Sequence, residues 1–158
     1  MIGYLGELGF GSLISLVTDE ATLGGDMSKN RVERLKRYNP AAGPGMIGGV
    51  YSQAVLITRA LLAFQHSLDV RGDMLEIGVA EGRYLALLYL YLRDDEEIVG
   101  IDPYPSAQHG GRDNMNKIMH SFVESVCGSV DQLRLLEKGS EDCSIDEILR
   151  VGESGLRF

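Results

Sequence analysis

The spacing of apolar residues changes period several times along this chain. From Tyr51 to Leu68, the residues Ala54, Ile57, Leu61, Phe64 and Leu68 recur at steps of three and four. That predicts a helix with those side chains on its apolar stripe. Asp69 to Gly72 breaks it. Met74 to Val79 is a short apolar run holding one acid and reads as a buried strand, as do Ile98 to Asp102 and Leu133 to Leu136. Arg83 to Leu92, between the first two, is apolar on nearly every side, so this helix must be covered on most faces. Met115, Ile118, Met119, Phe122, Val123 and Val126 form a second helical stripe, with Asp113 or Asn114 as its cap and Gly128 as its stop. Ser144 and Glu147 form a capping box opening a last helix, which Gly152 ends. Leu156 to Phe158 reads as the start of a fourth strand.

The amino-terminal part is less regular. Ser12 to Thr18 reads equally as a strand or a short helix, and the glycines before it argue against a long element. Ser28 to Tyr38 is a helix with a charged face. Arg31, Arg34, Lys36 and Arg37 on it read as a solvated basic run. Asn39 to Gly49, rich in glycine and proline, is a loop and the clearest internal boundary. Residues 1–48 are therefore an amino-terminal extension with a helix and a loop, and residues 49–158 an α/β domain. Strands alternating with helices imply right-handed crossovers and a parallel sheet with helices on both faces, a Rossmann-like arrangement.

The chemistry sits in Leu75-Glu76-Ile77-Gly78-Val79-Ala80-Glu81-Gly82, a strand running into a glycine turn and then a helix. Open parallel sheets bind ligands outside the carboxyl ends of their strands. A helix start offers free N–H groups and the positive end of its dipole. The dinucleotide pattern G-x-G-x-x-G fits poorly, because Ala80 and Arg83 occupy its second and third glycine positions. The pattern acid-x-G-x-x-x-G fits Glu76, Gly78 and Gly82. Asp102 ends the second strand, 20 residues after Gly82, where a carboxylate can accept from both hydroxyls of a ribose.

The segments L-E-I-G-V-A-E-G-R-Y, V-G-I-D-P-Y and L-L-E-K-G-S-E-D together resemble class I S-adenosylmethionine-dependent methyltransferases. They read like the small-molecule O-methyltransferases that include macrolide-sugar and antibiotic-tailoring enzymes. The resemblance covers Val70 to Phe158. It implies that Glu76, Gly78 and Gly82 line the methionine part of S-adenosyl-L-methionine, that Val79 and Ala80 also bind the cofactor, and that Asp102 holds the ribose. It implies that Pro103 and Tyr104 flank the adenosine, and that Gly139, Ser140 and Glu141 (or Asp142) sit by the adenine. It also implies a fourth strand beside the first, carrying an acid that binds a metal ion or faces the methyl acceptor. The sequence reaches only Leu156-Arg157-Phe158 of that strand, so the sheet is expected to be incomplete. A divalent metal belongs to the part that would follow, and no metal site or catalytic base is assigned here. The expectation is a truncated chain, or one that forms a homo-oligomer through an open sheet edge.

Composition narrows the setting. The net charge is −8, which disfavours nucleic acid as a main partner. Cys127 and Cys143 have no metal spacing and read as reduced, half-buried thiols of a cytoplasmic protein. Met1 to Thr18 lacks the basic start of a signal peptide and is too short to span a bilayer, so no membrane partner is expected. His66 and His120 read as surface or boundary residues, and His109 as a solvated loop residue. Three functions follow. The first is methyl transfer to a small-molecule hydroxyl. The second is a non-catalytic remnant acting through association, and the third an NAD-linked oxidoreductase.

Overall fold

A computed structural model describes residues 27, 29–40, 50–104 and 112–150. The elements are α1 (Lys29–Arg37), α2 (Ser52–Ser67), β1 (Met74–Ile77), α3 (Arg83–Tyr91), β2 (Ile98–Ile101), α4 (Arg112–Cys127), β3 (Leu133–Leu136), a 3-10 turn (Ser140–Asp142) and α5 (Ile145–Arg150). The sheet is parallel in the order β1-β2-β3. The chain is thus an α/β protein with a small parallel sheet. The expected element at Ser12–Thr18, most of the loop after Asn39, the loop holding His109, the stop at Gly152 and the strand at Leu156–Phe158 lie outside the described residues. No helix among the described residues is long and apolar enough to cross a membrane.

One core joins α1 to α4 with one face of the sheet. Val32, Leu35, Leu62, Ala63, Met119 and Val123 cluster with Leu85 to Tyr91 of α3, and with Ile98 and Leu133. The apolar run of α3, Leu85 to Tyr91, is covered as its composition requires. The α4 stripe also holds, with Met115, Met119 and Val123 buried, although Ile118 is 40% exposed. Helix α4 begins at Arg112, so Asp113 and Asn114 lie inside its first turn rather than at its cap. Gly128 stops it at φ +86°, its N–H donating to Glu124 O. The capping box forms as expected, with Ser144 N donating to Glu147 Oε2 and Glu147 N to Ser144 Oγ.

Three further expectations are corrected: those for the α2 stripe, for His66 and for the basic run of α1. The apolar stripe of α2 faces outward, with Ile57, Leu61, Phe64 and Leu68 all more than half exposed. Val55, Arg59, Leu62, Ala63 and His66 form the buried side. His66 is buried because Nε2 lies 2.8 Å from Tyr91 O, at the end of α3. The basic run of α1 is likewise only half solvated. Arg31 donates to Leu92 O and Gln132 Oε1 and lies over the Tyr89 ring, while Arg34 donates to Val126 O. These guanidinium groups satisfy the orphan carbonyls and complement the negative dipole ends of α3 and α4. Lys36 and Arg37 are exposed and pair with Glu33.

The amino end of the sheet carries a closed polar network. Arg93 and Glu96 are buried and ion-paired at 3.3 Å. Glu96 accepts from the amides of Gly72 and Arg93, and Gln132 Nε2 donates to the carbonyls of Arg93 and Glu96. Strand β1 lies at the sheet edge among the described residues, and its Leu75 and Ile77 side chains are 37% and 61% exposed.

Candidate cofactor site at the strand ends

Because the strands are parallel, their carboxyl ends share one edge. Gly78 N donates to Ile101 O and Asp102 N to Leu136 O, which ties the three ends together. The segments 76–82, 102–104 and 137–141 therefore meet on that edge.

Asp102 organises it. Its Oδ2 accepts from Ala80 N and its Oδ1 from Tyr104 N, both at 2.8 Å. Ala80 and Tyr104 have φ of +48° and +41°, a region non-glycine residues rarely occupy, and each gives its amide to one oxygen of this carboxylate. Asp102 is buried, so it is no solvated turn acid. Each of its oxygens keeps a second lone pair for a ligand hydroxyl.

Glu76 behaves differently. It is 9% exposed, and its Oε2 has no hydrogen-bond partner. Burial first, and the Asp102 charge second, push its carboxyl up to about 8. Glu81, in the turn itself, also buries an unpartnered Oε2. Sequence reading passed over Glu81. Its place between Ala80 and Gly82, next to a helix start, was the available signal.

The two glycines of the motif have different jobs. Gly78 has φ +85° and is exposed, and a Cβ there would meet nothing within 4 Å, so its bare backbone faces open space. Gly82 has φ +80°, but a Cβ there would lie 2.9 Å from Met119 Cγ and 3.0 Å from Val123 Cγ2. It lets the start of α3 press against α4. Val79 is buried and Ala80 half-buried. Arg83 is buried too, with Nη1 3.4 Å from Pro40 O and its carbonyl accepting from Tyr38 Oη.

Tyr104 is 2% exposed with its hydroxyl unpartnered, and burial raises the hydroxyl well above the ordinary tyrosine range. Pro103 is exposed. Gly139 precedes the 3-10 turn, where the Glu141 carboxylate folds back over it, and Ser140 and Glu141 are exposed. Cys127 and Cys143 are free and half-buried. Burial drives the Cys127 thiol up to about 12. A cleft of about 430 Å³ lies elsewhere, between α2 and the beginning of β1, lined by Leu62, His66, Met74 and Leu88.

The edge thus offers buried carboxylate oxygens without donors, beside open glycine backbone. Such a set of acceptors suits a ligand that brings an ammonium, other positive charge, or hydroxyls. It suits a pyrophosphate poorly, since the buried Asp102 carboxylate between the strand ends would repel it. The chain matches no protein-family model, no curated protein and no solved structure.

Proposed function

We propose that the chain is a Rossmann-like S-adenosylmethionine-binding domain of the class I methyltransferase type, acting on a hydroxyl of a small molecule in the cytoplasm. The observation that carries this reading is the unpartnered, buried Oε2 of Glu76 beside the open backbone of Gly78. Glu76 is poised to receive the ammonium of a methionine moiety, and the spare lone pairs of Asp102 a ribose diol. When bound, the cofactor supplies an electrophilic methyl group on sulfur. The residues of this chain bind and orient it, and the strained Ala80 and Tyr104 amides fix the Asp102 carboxylate in advance.

The test is titration calorimetry with S-adenosylhomocysteine, with NADH fluorescence as the control. Binding of the first, weakened at least about tenfold by Asp102→Ala, is expected, as loss of a buried charged hydrogen-bonding group implies. Absence of heat at millimolar ligand, or quenching of NADH instead, overturns the reading. A second reading, a non-catalytic domain that works through association, is favoured by the exposed Leu75 and Ile77 of edge strand β1. Methyl transfer to any hydroxyl acceptor refutes it.

A further inference from the structure

Arg59 on α2 is only 3% exposed, yet no carboxylate pairs with it among the described residues. Its Nη2 donates to Leu35 O and Tyr38 O, at the end of α1, while Nε has no acceptor. A buried carboxyl can shed its charge by taking a proton. A guanidinium cannot, because its ordinary pKa lies so far above neutral. Burying it without a counter-charge is costly, and that cost points to an anion.

The surroundings fit one. Arg59 lines a cleft of about 280 Å³ between the end of α1 and the start of α2, together with Lys36, Arg37, Tyr38, Ser52 and Val55. None of its described lining residues is acidic, on a chain whose net charge is −8. Ser52 opens α2, a helix of 16 residues whose cap residue Tyr51 makes no side-chain hydrogen bond to the first turn. The amides of that turn are therefore left without a side-chain cap, at the positive end of the helix dipole. Glu33 holds Lys36 at 3.1 Å and Arg37 at 3.7 Å. Those exposed pairs are weak and can be exchanged for a ligand.

We propose that this cleft binds the phosphate or carboxylate group of a small anionic ligand. Arg59, Lys36 and Arg37 supply the charge, and the first turn of α2 supplies backbone donors. The site goes beyond the cofactor reading and does not rest on it.

The experiment is titration calorimetry of the full chain with inorganic phosphate and, separately, with citrate, against sodium chloride at matched ionic strength. Saturable binding of one of them is expected, and which one binds names the group. Lys36→Ala with Arg37→Ala should weaken it about tenfold, and Glu33→Gln, which frees both cations, should tighten it about threefold. Arg59→Met should abolish the rise in Tm that phosphate gives the parent. If that variant fails to fold, the Lys36/Arg37 pair and Glu33→Gln decide. Asp102→Ala should leave anion binding unchanged, which separates failure here from failure of the cofactor reading. No saturable binding of either anion, or equal affinity in the Lys36/Arg37 variant, overturns the proposal.

Discussion

The two ends of the sheet each bury a glutamate, and they treat it in opposite ways. At the amino end Glu96 has Arg93 beside it and accepts two backbone amides. At the carboxyl end Glu76 has an oxygen with no donor, and its close charged neighbour is another acid, Asp102. The first arrangement is complete as it stands, because charge and lone pairs are met within the fold. The second is complete only when something else arrives, whether a proton or a ligand. Burial alone therefore does not mark a functional acid. Burial with an unmet oxygen at the strand ends is the feature on which the cofactor proposal rests.

The sharpest way to break this comparison is to neutralise each glutamate in turn. Glu96→Gln should destabilise by about 3 kcal/mol at pH 7, because it leaves the buried Arg93 charge with only the exposed Asp69 carboxylate, 3.5 Å away. Glu76→Gln should do the reverse at high pH. The folded carboxyl is raised to about 8 from an ordinary value of 4.5. The native state therefore holds a proton that the unfolded chain has released, and parental stability falls as pH rises through that window. The loss is on the order of 4 kcal/mol above pH 8, and absent below about pH 4.5. Urea melts across pH 5 to 9 should show this slope in the parent and a flat line in Glu76→Gln. A flat parental curve would mean that Glu76 has a donor after all.

The glycines sharpen the same contrast at smaller scale. Gly82→Ala combines left-handed strain with a Cβ pressed on Met119 and Val123, and should cost about 3 kcal/mol. Gly78→Ala meets open space and should cost about 1 kcal/mol from strain alone. Thermal melts test stability, and ligand titration should show the larger binding defect at Gly78. Equal melting temperatures for the two variants would refute the division of labour.

Much of the frame was legible in the sequence. Three strands, the covered α3, the α4 stripe, the Gly128 stop and the Ser144–Glu147 box all follow from local chemistry that neighbours do not override. The orientation of α2 was not legible. Both sides of it carry enough apolar residues to pass for a core face, and the true one holds Arg59 and His66. Those two are buried because their polar ends reach carbonyls at the ends of α1 and α3, partners distant in sequence. Arg31 and Arg34 escaped for the same reason. At the site, spacing pointed to Glu76, Gly78, Gly82 and Asp102. It could not tell that Gly82 serves packing, nor that Asp102 fastens two strained amides.

The grip of α1 on the ends of α3 and α4 also bears on how the chain comes off the ribosome. Arg31 reaches Leu92 and Gln132, 61 and 101 residues away, and Arg34 reaches Val126, 92 residues away. A helix of nine residues is marginal on its own. At ordinary synthesis rates it waits on the order of ten seconds for those carbonyls to be made. The segment made early is thus a clasp fastened late, and newborn chains present α1 as an unstructured basic strand until the sheet is in place.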